Sequence, residues 1–251
     1  MRDLVGRVTV VTGGNRGIGL GLARGAARCG SRVAIWARRS AQNVAAVKEL
    51  ERLGVEAAAY ECDVVQERDV RHCLDQTLDR FGRLDALIAN AGTASPAPFA
   101  DTTLDKWRSV LAVNLDGAFL SLRAGAQAMI EQGDGGALVA VSSVAALHGA
   151  PTQAAYASSK AALTALMRTL AVELAPYGIR CNSLLPGWTE TEMTAPLRQH
   201  DAFMRVTTRR TPVRRWATPV DFERAGAYLA DPTISFHTGD CLVVDGGYSV
   251  F

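Results

Sequence analysis

The feature that most constrains the fold of this chain is a regular alternation of short apolar runs with longer segments of helical periodicity. The apolar runs, rich in β-branched residues, fall at 7–12, 32–37, 55–61, 84–89, 136–142, 179–184 and 240–245. Strands that alternate with helices predict βαβ units around a parallel sheet. Because the runs are apolar on both sides of the pleat, helices should cover both faces. We therefore expect a doubly wound α/β sheet of about seven parallel strands.

The chain is predicted to form one domain over residues 1–251. Its 251 residues are enough to bury a large core, and no Ser/Pro-rich linker or change of composition marks a second domain. One long stretch, 186–218, has no clear periodicity and is interrupted by Pro196 and Pro212. Irregular segments of that length are usually functional lids or disordered.

Composition and charge argue against several classes of function. A net charge of +2 is too small to indicate binding to nucleic acid or to an anionic membrane surface. No apolar run approaches the ~20 residues of a membrane-spanning helix. The five cysteines are odd in number and show no C-x-x-C spacing, so we expect neither a disulfide framework nor a metal site. Reduced thiols in this pattern indicate a cytoplasmic protein.

A glycine-rich segment, TGGNRGIG (12–19), directly follows the first predicted strand and opens the first predicted helix. Gly13 can form the tight turn, and Gly17 and Gly19 allow the backbone to approach a phosphate. The amino end of the helix presents free N–H groups and a partial positive charge, which favour an anion. The alternative is a glycine-rich turn without a ligand, but the position between strand and helix favours a dinucleotide pyrophosphate.

This loop and the motifs that follow it closely resemble those of the short-chain dehydrogenase/reductase family. After G-x-x-x-G-x-G come, in order, CDV (62–64), ANAG (89–92), VNLDG (113–117), VSS (141–143), YASSK (156–160), LPGWTET (185–191) and VVDGG (243–247). The resemblance covers nearly the whole chain, with one departure at Ala89, where the family more often has a second asparagine. It implies a Rossmann-type fold and hydride transfer between a nicotinamide cofactor and a carbonyl carbon.

The spacing in YASSK places Tyr156 and Lys160 on one face of a helix, where their side chains can meet. A phenol has a pKa of about 10, and a nearby ammonium lowers that pKa toward a value useful for proton transfer. Alone, the pair could equally be an ordinary surface pair. Ser143 favours catalysis, because it ends a strand before Tyr156 as the family's catalytic serine does. Its neighbour Ser142 should point to the opposite side.

The resemblance also implies the remaining site residues. Asn114 matches the family's asparagine that holds a water between the lysine and solvent, although a structural role at a helix break is the alternative. The catalytic set is then Asn114, Ser143, Tyr156 and Lys160. The cofactor-binding set is Gly13, Asn15, Arg16, Gly17, Ile18, Gly19, Arg38, Asp63, Val64, Asn90, Ala91, Gly92, Tyr156, Lys160, Pro186, Gly187, Thr189 and Thr191.

The residues after the second predicted strand indicate which nicotinamide cofactor is bound. That strand ends beside the adenosine ribose in this fold, where an acidic side chain selects NAD. The position holds Ala37, and Arg38 follows where relatives that use NADP place a basic residue. Arg16 is a second cation for the same phosphate, whereas Arg39 is expected to point outward. We predict NADP(H) over NAD(H), held by charge-assisted bonds to the 2′-phosphate, the alternative being solvated surface arginines.

The sequence constrains the substrate only loosely. Candidate pocket residues follow the fourth, fifth and sixth strands: Ser95, Pro96, Ala145, Leu147, His148, Gln153, Trp188, Met193 and Leu197. Their mostly apolar walls suit a small ketone or secondary alcohol. Six arginines between Arg198 and Arg215 either attract an anionic substrate or form a solvated or intersubunit face.

Two other functions are weighed against this interpretation. A 3-oxoacyl reductase that acts on a carrier-bound or ester substrate is one, but the stretches 131–136 and 175–178 lack the basic residues with which such enzymes meet an acidic carrier. A non-catalytic dinucleotide-binding regulator is the other. Retention of Ser143, Tyr156 and Lys160 argues against it.

The chain is also predicted to associate with copies of itself. Long Ala/Leu-rich helices are expected at about 103–130 and 153–175, with more apolar surface than one sheet face needs. In the family such helices pack against their copies. We therefore expect a homotetramer of two-fold symmetry that acts on a small-molecule substrate.

Overall fold

The computed structural model describes residues 4–251, and within this range seven parallel strands form one sheet in the order β3-β2-β1-β4-β5-β6-β7. The strands are Val8–Thr12 (β1), Arg32–Trp36 (β2), Ala57–Tyr60 (β3), Ala86–Ala89 (β4), Gly136–Val141 (β5), Ile179–Pro186 (β6) and Cys241–Val244 (β7). The predicted Rossmann-type sheet is confirmed. Since β1 lies between β2 and β4, the chain winds outward in both directions from β1, and a ligand crevice forms at the carboxyl ends of the strands there.

Helices cover both faces of the sheet, as predicted. The helices are Gly17–Arg28 (α1), Ser40–Glu51 (α2), Glu67–Phe81 (α3), Leu104–Leu111 (α4), Gly117–Gln132 (α5), Ala154–Glu173 (α6), Ala195–Arg198 (α7), Asp201–Arg210 (α8) and Glu223–Ala230 (α9). One apolar core joins the sheet to α3, α5 and α6, and a second joins it to α1, α2 and α9. Among residues 4–251, no helix combines the length and the apolar character needed to span a membrane.

The helix expected at about 103–130 is divided in two. A π-helical turn, Ala112–Asp116, separates α4 from α5. Asn114 lies inside this turn, is fully buried, and bonds the backbone of Thr93 through both ends of its amide. These long-range bonds compensate for the wide turn, and π-turns occur frequently at functional sites. A π-helical turn contains one residue more than an α-helical turn, and the helical periodicity of the sequence does not indicate it.

The stretch 186–218, expected to be irregular, contains α7 and α8. The ends of α8 suit its dipole, with Asp201 in the first turn and Arg209 and Arg210 in the last. Six of its ten residues are polar and only Thr207 is buried, so no apolar run marks this helix in the sequence. The segment is therefore an ordered helical cover on the carboxyl side of β6.

Two helices on one face approach each other at a glycine, and this contact predicts a stability effect. A Cβ at Gly25 of α1 would lie 1.7 Å from the carbonyl oxygen of Glu223 in α9. We expect Gly25→Ala to lower the free energy of unfolding by about 1–3 kcal/mol, because overpacking outweighs the helix propensity of alanine. Urea unfolding measures the change, with Gly149→Ala as the control because a Cβ there meets no atom within 4 Å. Equal stability of both variants would show that α9 shifts freely to make room.

Candidate active site

The predicted serine, tyrosine and lysine meet at the carboxyl end of β5. Ser143 follows this strand, and Tyr156 and Lys160 lie one turn apart in α6. The Ser143 hydroxyl is hydrogen-bonded to the Tyr156 phenol, and its oxygen also accepts the N–H of Ala145 at 3.1 Å. The Lys160 ammonium lies 5.6 Å from the centroid of the Tyr156 ring. Ser142 turns away, as expected, and donates to the Lys160 carbonyl oxygen at 2.7 Å.

Lys160 is buried, and one of its three N–H groups is already used. Its Nζ donates to the carbonyl oxygen of Val141 at 2.8 Å, which fixes the side chain beneath the site. Burial lowers the pKa of Lys160 to about 8, so the ammonium form prevails at neutral pH. No residue in the range 4–251 accepts a bond from the two remaining N–H groups, so they can bind a hydroxyl or a water.

The pKa of Tyr156 differs from the sequence expectation. Burial raises the pKa of this phenol, while the hydrogen bond with Ser143 acts in the lowering direction. Lys160 lies beside the ring face rather than at the hydroxyl, which accounts for its small influence on the phenol. Among the groups of the protein itself, Tyr156 is therefore kept protonated and suited to donate a proton.

Asn114 lies next to Lys160, and its side-chain amide is hydrogen-bonded to other groups of the protein. Its Oδ1 accepts the N–H of Thr93 at 2.8 Å, and its Nδ2 donates to the Thr93 carbonyl at 3.0 Å and to the Ser159 hydroxyl at 3.1 Å. A Cβ at Gly92 would be 3.4 Å from that Oδ1 and 3.5 Å from Lys160 Nζ, so both atoms border the same space. The side chain acts as a structural polar residue, and its part in a water relay stays a prediction.

The glycine loop fits a dinucleotide pyrophosphate. The first turn of α1 has no side-chain cap and no acidic residue, so its N–H groups and positive dipole end are available to an anion. Gly17 has φ +53°, and a Cβ there would lie 3.3 Å from Thr191 Cγ2. Any larger residue would therefore enter the space between the loop and the segment after β6. Gly13 lies in the turn before α1, and Ile18 and Gly19 lie in its first turn. Their contact with a cofactor stays a prediction.

Hydrogen bonds from a residue outside the predicted set fix this loop to β4. The Thr12 hydroxyl accepts the N–H groups of Asn90 and Ala91, each at 3.0 Å. Asn90 Nδ2 donates in turn to the carbonyl oxygens of Thr12 and Gly13 at 2.9 and 3.2 Å. The Asn90 amide thus shapes the phosphate loop, and its direct cofactor contact stays a prediction.

The end of β2 is connected to the glycine loop by Asn43, another residue that the sequence did not reveal. Asn15 Nδ2 donates to Asn43 Oδ1 at 2.7 Å, and Asn43 Nδ2 donates to the Ala37 carbonyl at 2.8 Å. Arg38 follows and is exposed, with no hydrogen bond or ion pair to any residue in the range 4–251. Its guanidinium is available to a ligand at the adenosine end of the crevice.

The predicted contacts to the adenine come from the loop after β3. Asp63 is half-buried there, and its carboxylate accepts the N–H of Val65 at 3.4 Å. Val64 is buried against Gly117, at the start of α5, where a Cβ would lie 2.6 Å from Val64 Cγ2. Asp63 and Val64 follow β3, which is the neighbour of β2 in the sheet. Their contact with a cofactor stays a prediction.

The residues expected to hold the nicotinamide carboxamide form a compact turn after β6. Gly187 follows Pro186 and donates its N–H to Val244 in β7 at 3.0 Å. Thr194 Oγ1, which sequence reasoning missed, accepts the N–H of Thr191 at 3.0 Å and donates to the Thr189 carbonyl at 2.6 Å. This threonine fixes the conformation of the turn that carries both predicted contacts.

Among the predicted pocket residues, Trp188 has the most extensive ring contacts. It stacks on Trp216 with 5.2 Å between ring centroids and meets the edges of Phe203 at 5.1 Å and Tyr248 at 6.4 Å. His148 contacts Tyr248 at 5.6 Å. An aromatic wall therefore joins the nicotinamide turn to the loop that carries Ser143.

The arginine-rich stretch resolves into separate contacts. Arg198 pairs with Glu190 at 3.2 Å and Arg215 pairs with Asp221 at 2.6 Å. Arg210 alone reaches the aromatic wall, with its guanidinium carbon 4.3 Å from the Tyr248 ring centroid. Two of the six arginines in this stretch are therefore held in surface ion pairs, and a third, Arg210, packs on the Tyr248 ring.

Comparison with known proteins agrees with this geometry. The family model described as enoyl-(acyl carrier protein) reductase matches residues 13–249. An L-rhamnose 1-dehydrogenase (NAD(P)+) of Sphingomonas sp. strain SKA58 is 37% identical over 100% of this chain and 99% of its own. A 3-oxoacyl-[acyl-carrier-protein] reductase of Chlamydia pneumoniae is 34% identical over 97% of each chain. A gluconate 5-dehydrogenase of Burkholderia cenocepacia, solved with NADP and tartrate, superposes with TM-score 0.94 at 35% identity, covering 100% of this chain and 98% of its own.

The chain belongs to the short-chain dehydrogenase/reductase family. It is an NAD(P)-dependent oxidoreductase that acts on CH–OH groups and the corresponding carbonyls. The sequence interpretation of fold, family and reaction class is thereby confirmed.

Proposed function

We propose that this protein is an NADP(H)-dependent enzyme that interconverts a small ketone and a secondary alcohol, with Tyr156 as the general acid and base. The observation that carries the proposal is the contact between the Tyr156 phenol and the Ser143 hydroxyl, one helical turn from the buried ammonium of Lys160. The same three side chains argue against a purely regulatory protein, which has no need to keep them.

Each side chain then has a distinct role. Ser143 donates a hydrogen bond to the substrate oxygen and holds it beside the phenol. Tyr156 gives its proton to that oxygen during reduction and takes it back during oxidation. Lys160 binds the nicotinamide ribose through its remaining N–H groups, and its charge, 5.6 Å from the ring centroid, favours the phenolate only weakly. The bound nicotinamide supplies or accepts the hydride.

The preference for the phosphorylated cofactor rests on the end of β2. Ala37 is buried there and offers no carboxylate to the ribose, whereas the exposed Arg38 has no partner among the described residues. Arg16 projects from the glycine loop toward the same corner, since the charges of Arg38 and Arg39 both act on it. A guanidinium can hold a 2′-phosphate through two N–H groups.

The substrate is proposed to be a small polyhydroxylated ketone or alcohol. The L-rhamnose and gluconate dehydrogenases are relatives of this kind, and the aromatic wall around Trp188 offers an apolar surface to a small substrate. A 3-oxoacyl substrate is the second candidate, supported by the Chlamydia pneumoniae relative. The absence of Lys and Arg from 131–136 and 175–178 argues against an acidic carrier as the partner.

The proposal is tested by following the near-ultraviolet absorbance of reduced nicotinamide. The panel pairs sugars, sugar acids and simple ketones with small 3-oxo esters and a 3-oxoacyl carrier protein. We expect turnover of a small ketone or alcohol with NADP(H), at a kcat/KM higher than for any carrier-bound substrate. Exclusive activity on the carrier-bound substrate would replace this proposal with the second candidate.

Residues 1–251 are proposed to act as one cytoplasmic domain that assembles into a homotetramer. Apolar side chains stay exposed on the long helices, with Phe119 on α5 at 44% and Val172 on α6 at 80%. Contacts between copies would bury them. Light scattering at micromolar concentration is expected to give four times the chain mass. A single-chain mass would contradict association, and charged replacements at both positions are expected to reduce the mass.

A further inference from the structure

Three arginines converge at the proposed 2′-phosphate corner, and a carboxylate from a distant segment already lies among them. Arg16 comes from the glycine loop, and Arg38 and Arg39 follow β2. Glu192 forms ion pairs with Arg16 and, at 3.2 Å, with Arg39. Its other oxygen accepts the amide N–H of Gln42 at 3.3 Å. Arg39, expected to point outward without a contact, is therefore part of this corner.

This carboxylate has the position and the chemistry of a competing anion. The arginines repel one another, and burial together with the charges of Arg39 and Arg38 lowers the pKa of Arg16. Any anion that enters the corner relieves this repulsion. A carboxylate and a phosphate use the same planar N–H pairs of a guanidinium, so both cannot bind the same groups at once.

We infer that Glu192 is a cofactor-discriminating residue that competes with the 2′-phosphate of NADP(H) for Arg16 and Arg39. The inference rests on the proposed use of this corner for the 2′-phosphate. Glu192 lowers the affinity for NADP(H) relative to NAD(H), because displacement of its carboxylate accompanies phosphate binding. Glu192 thereby reduces the preference for NADP(H) over NAD(H) that Arg38 creates, so the enzyme can use both cofactors.

The same competition connects the two ends of the crevice. Glu192 directly follows Thr191, whose N–H is bonded to Thr194 in the turn proposed to hold the carboxamide. While Glu192 is paired with Arg16, this turn is tethered to the glycine loop. When a 2′-phosphate binds, Glu192 is released from the arginines and the turn is no longer held to the glycine loop. When NAD(H) binds, the ion pair between Glu192 and Arg16 stays in place.

Calorimetric titration of the full chain tests whether Glu192 competes with the 2′-phosphate. The ligands are NADP⁺, NAD⁺, adenosine 2′,5′-bisphosphate and 5′-ADP, and the variant is Glu192→Gln, which removes the charge and keeps the shape. Glu190→Gln is the matched control, because Glu190 lies in the same segment at similar exposure and pairs with Arg198 outside the corner. Glu192 is half-exposed, and circular dichroism confirms that each variant is folded.

We expect Glu192→Gln to bind NADP⁺ and the 2′,5′-bisphosphate about three- to fivefold more tightly, the effect of one exposed ion pair. The affinities for NAD⁺ and 5′-ADP should be unaffected, and Glu190→Gln should leave the affinities for all four ligands unchanged. Weaker or unchanged binding of the 2′-phosphorylated ligands by Glu192→Gln would overturn the inference, and so would an equal gain for NAD⁺. A wild type that prefers NAD⁺, combined with the expected gain in Glu192→Gln, would refute the NADP(H) preference and leave the role of Glu192 intact.

Discussion

Tyr156→Phe is expected to lower kcat by about three orders of magnitude while cofactor binding changes little. The substitution removes the hydroxyl that carries the proton, and general acid–base catalysis by one side chain contributes about 10²–10⁴-fold. The ring, which packs beside Lys160, is retained. Steady-state kinetics on an accepted ketone gives kcat, and quenching of protein fluorescence by NADPH gives cofactor affinity.

Tyr177→Phe serves as the control for this experiment, because Tyr177 is half-exposed in the turn before β6. It should leave kcat unchanged. If Tyr156→Phe retained wild-type turnover, the proton would have to come from another group, and His148 on the neighbouring loop would be the first to test. A loss of both turnover and cofactor binding would indicate a collapsed site rather than a missing proton carrier.

The second large effect concerns cofactor choice. Ala37→Asp combined with Arg38→Ala is expected to reverse the ratio of kcat/KM for NADPH over NADH. The new carboxylate accepts bonds from the ribose 2′-hydroxyl and repels a 2′-phosphate, and the lost arginine removes a charge-assisted bond worth about 1.5–3 kcal/mol. The ratio should therefore fall by about two orders of magnitude.

Arg52→Ala is the matched control for the cofactor experiment. It removes an exposed arginine at the carboxyl end of α2, away from the end of β2. The ratio of kcat/KM values should stay at the wild-type level in this variant. A wild type that prefers NADH, or a double variant whose ratio does not fall, would refute the proposed phosphate site. Arg38 would then be an ordinary solvated surface residue.

The sequence predicts the sheet well because its strands are buried on both faces. All five residues of β1 (VTVVT) are both β-branched and buried, so this run stands out from its surroundings. The catalytic pair is predicted because Tyr156 and Lys160 lie on one helix, where spacing in the chain fixes spacing in space. Such local relations are visible in the order of residues.

The contacts that sequence reasoning missed join residues far apart in the chain. Thr12 bonds to the β4 loop, Asn43 bonds to Asn15, and Glu192 reaches the arginines after β2. Thr, Asn and Glu are common polar residues, and nothing in their local pattern separates these three from solvated ones. Only the folded topology, which brings the ends of β1, β2 and β6 to one edge, gives them their partners.

The π-turn that holds Asn114 has a consequence for transplanting this site into another scaffold. A regular helix rotates by about 100° per residue, so forcing Ala112–Asp116 into regular α-helical geometry with the extra residue kept would turn everything beyond it by about that angle. Either Asn114 would leave Thr93 or the apolar side of α5, including Leu122 and Met129, would leave the sheet. A designer who copies the same residues onto an ideal straight helix will lose one of the two contacts, so the widened backbone turn has to be grafted with the side chains.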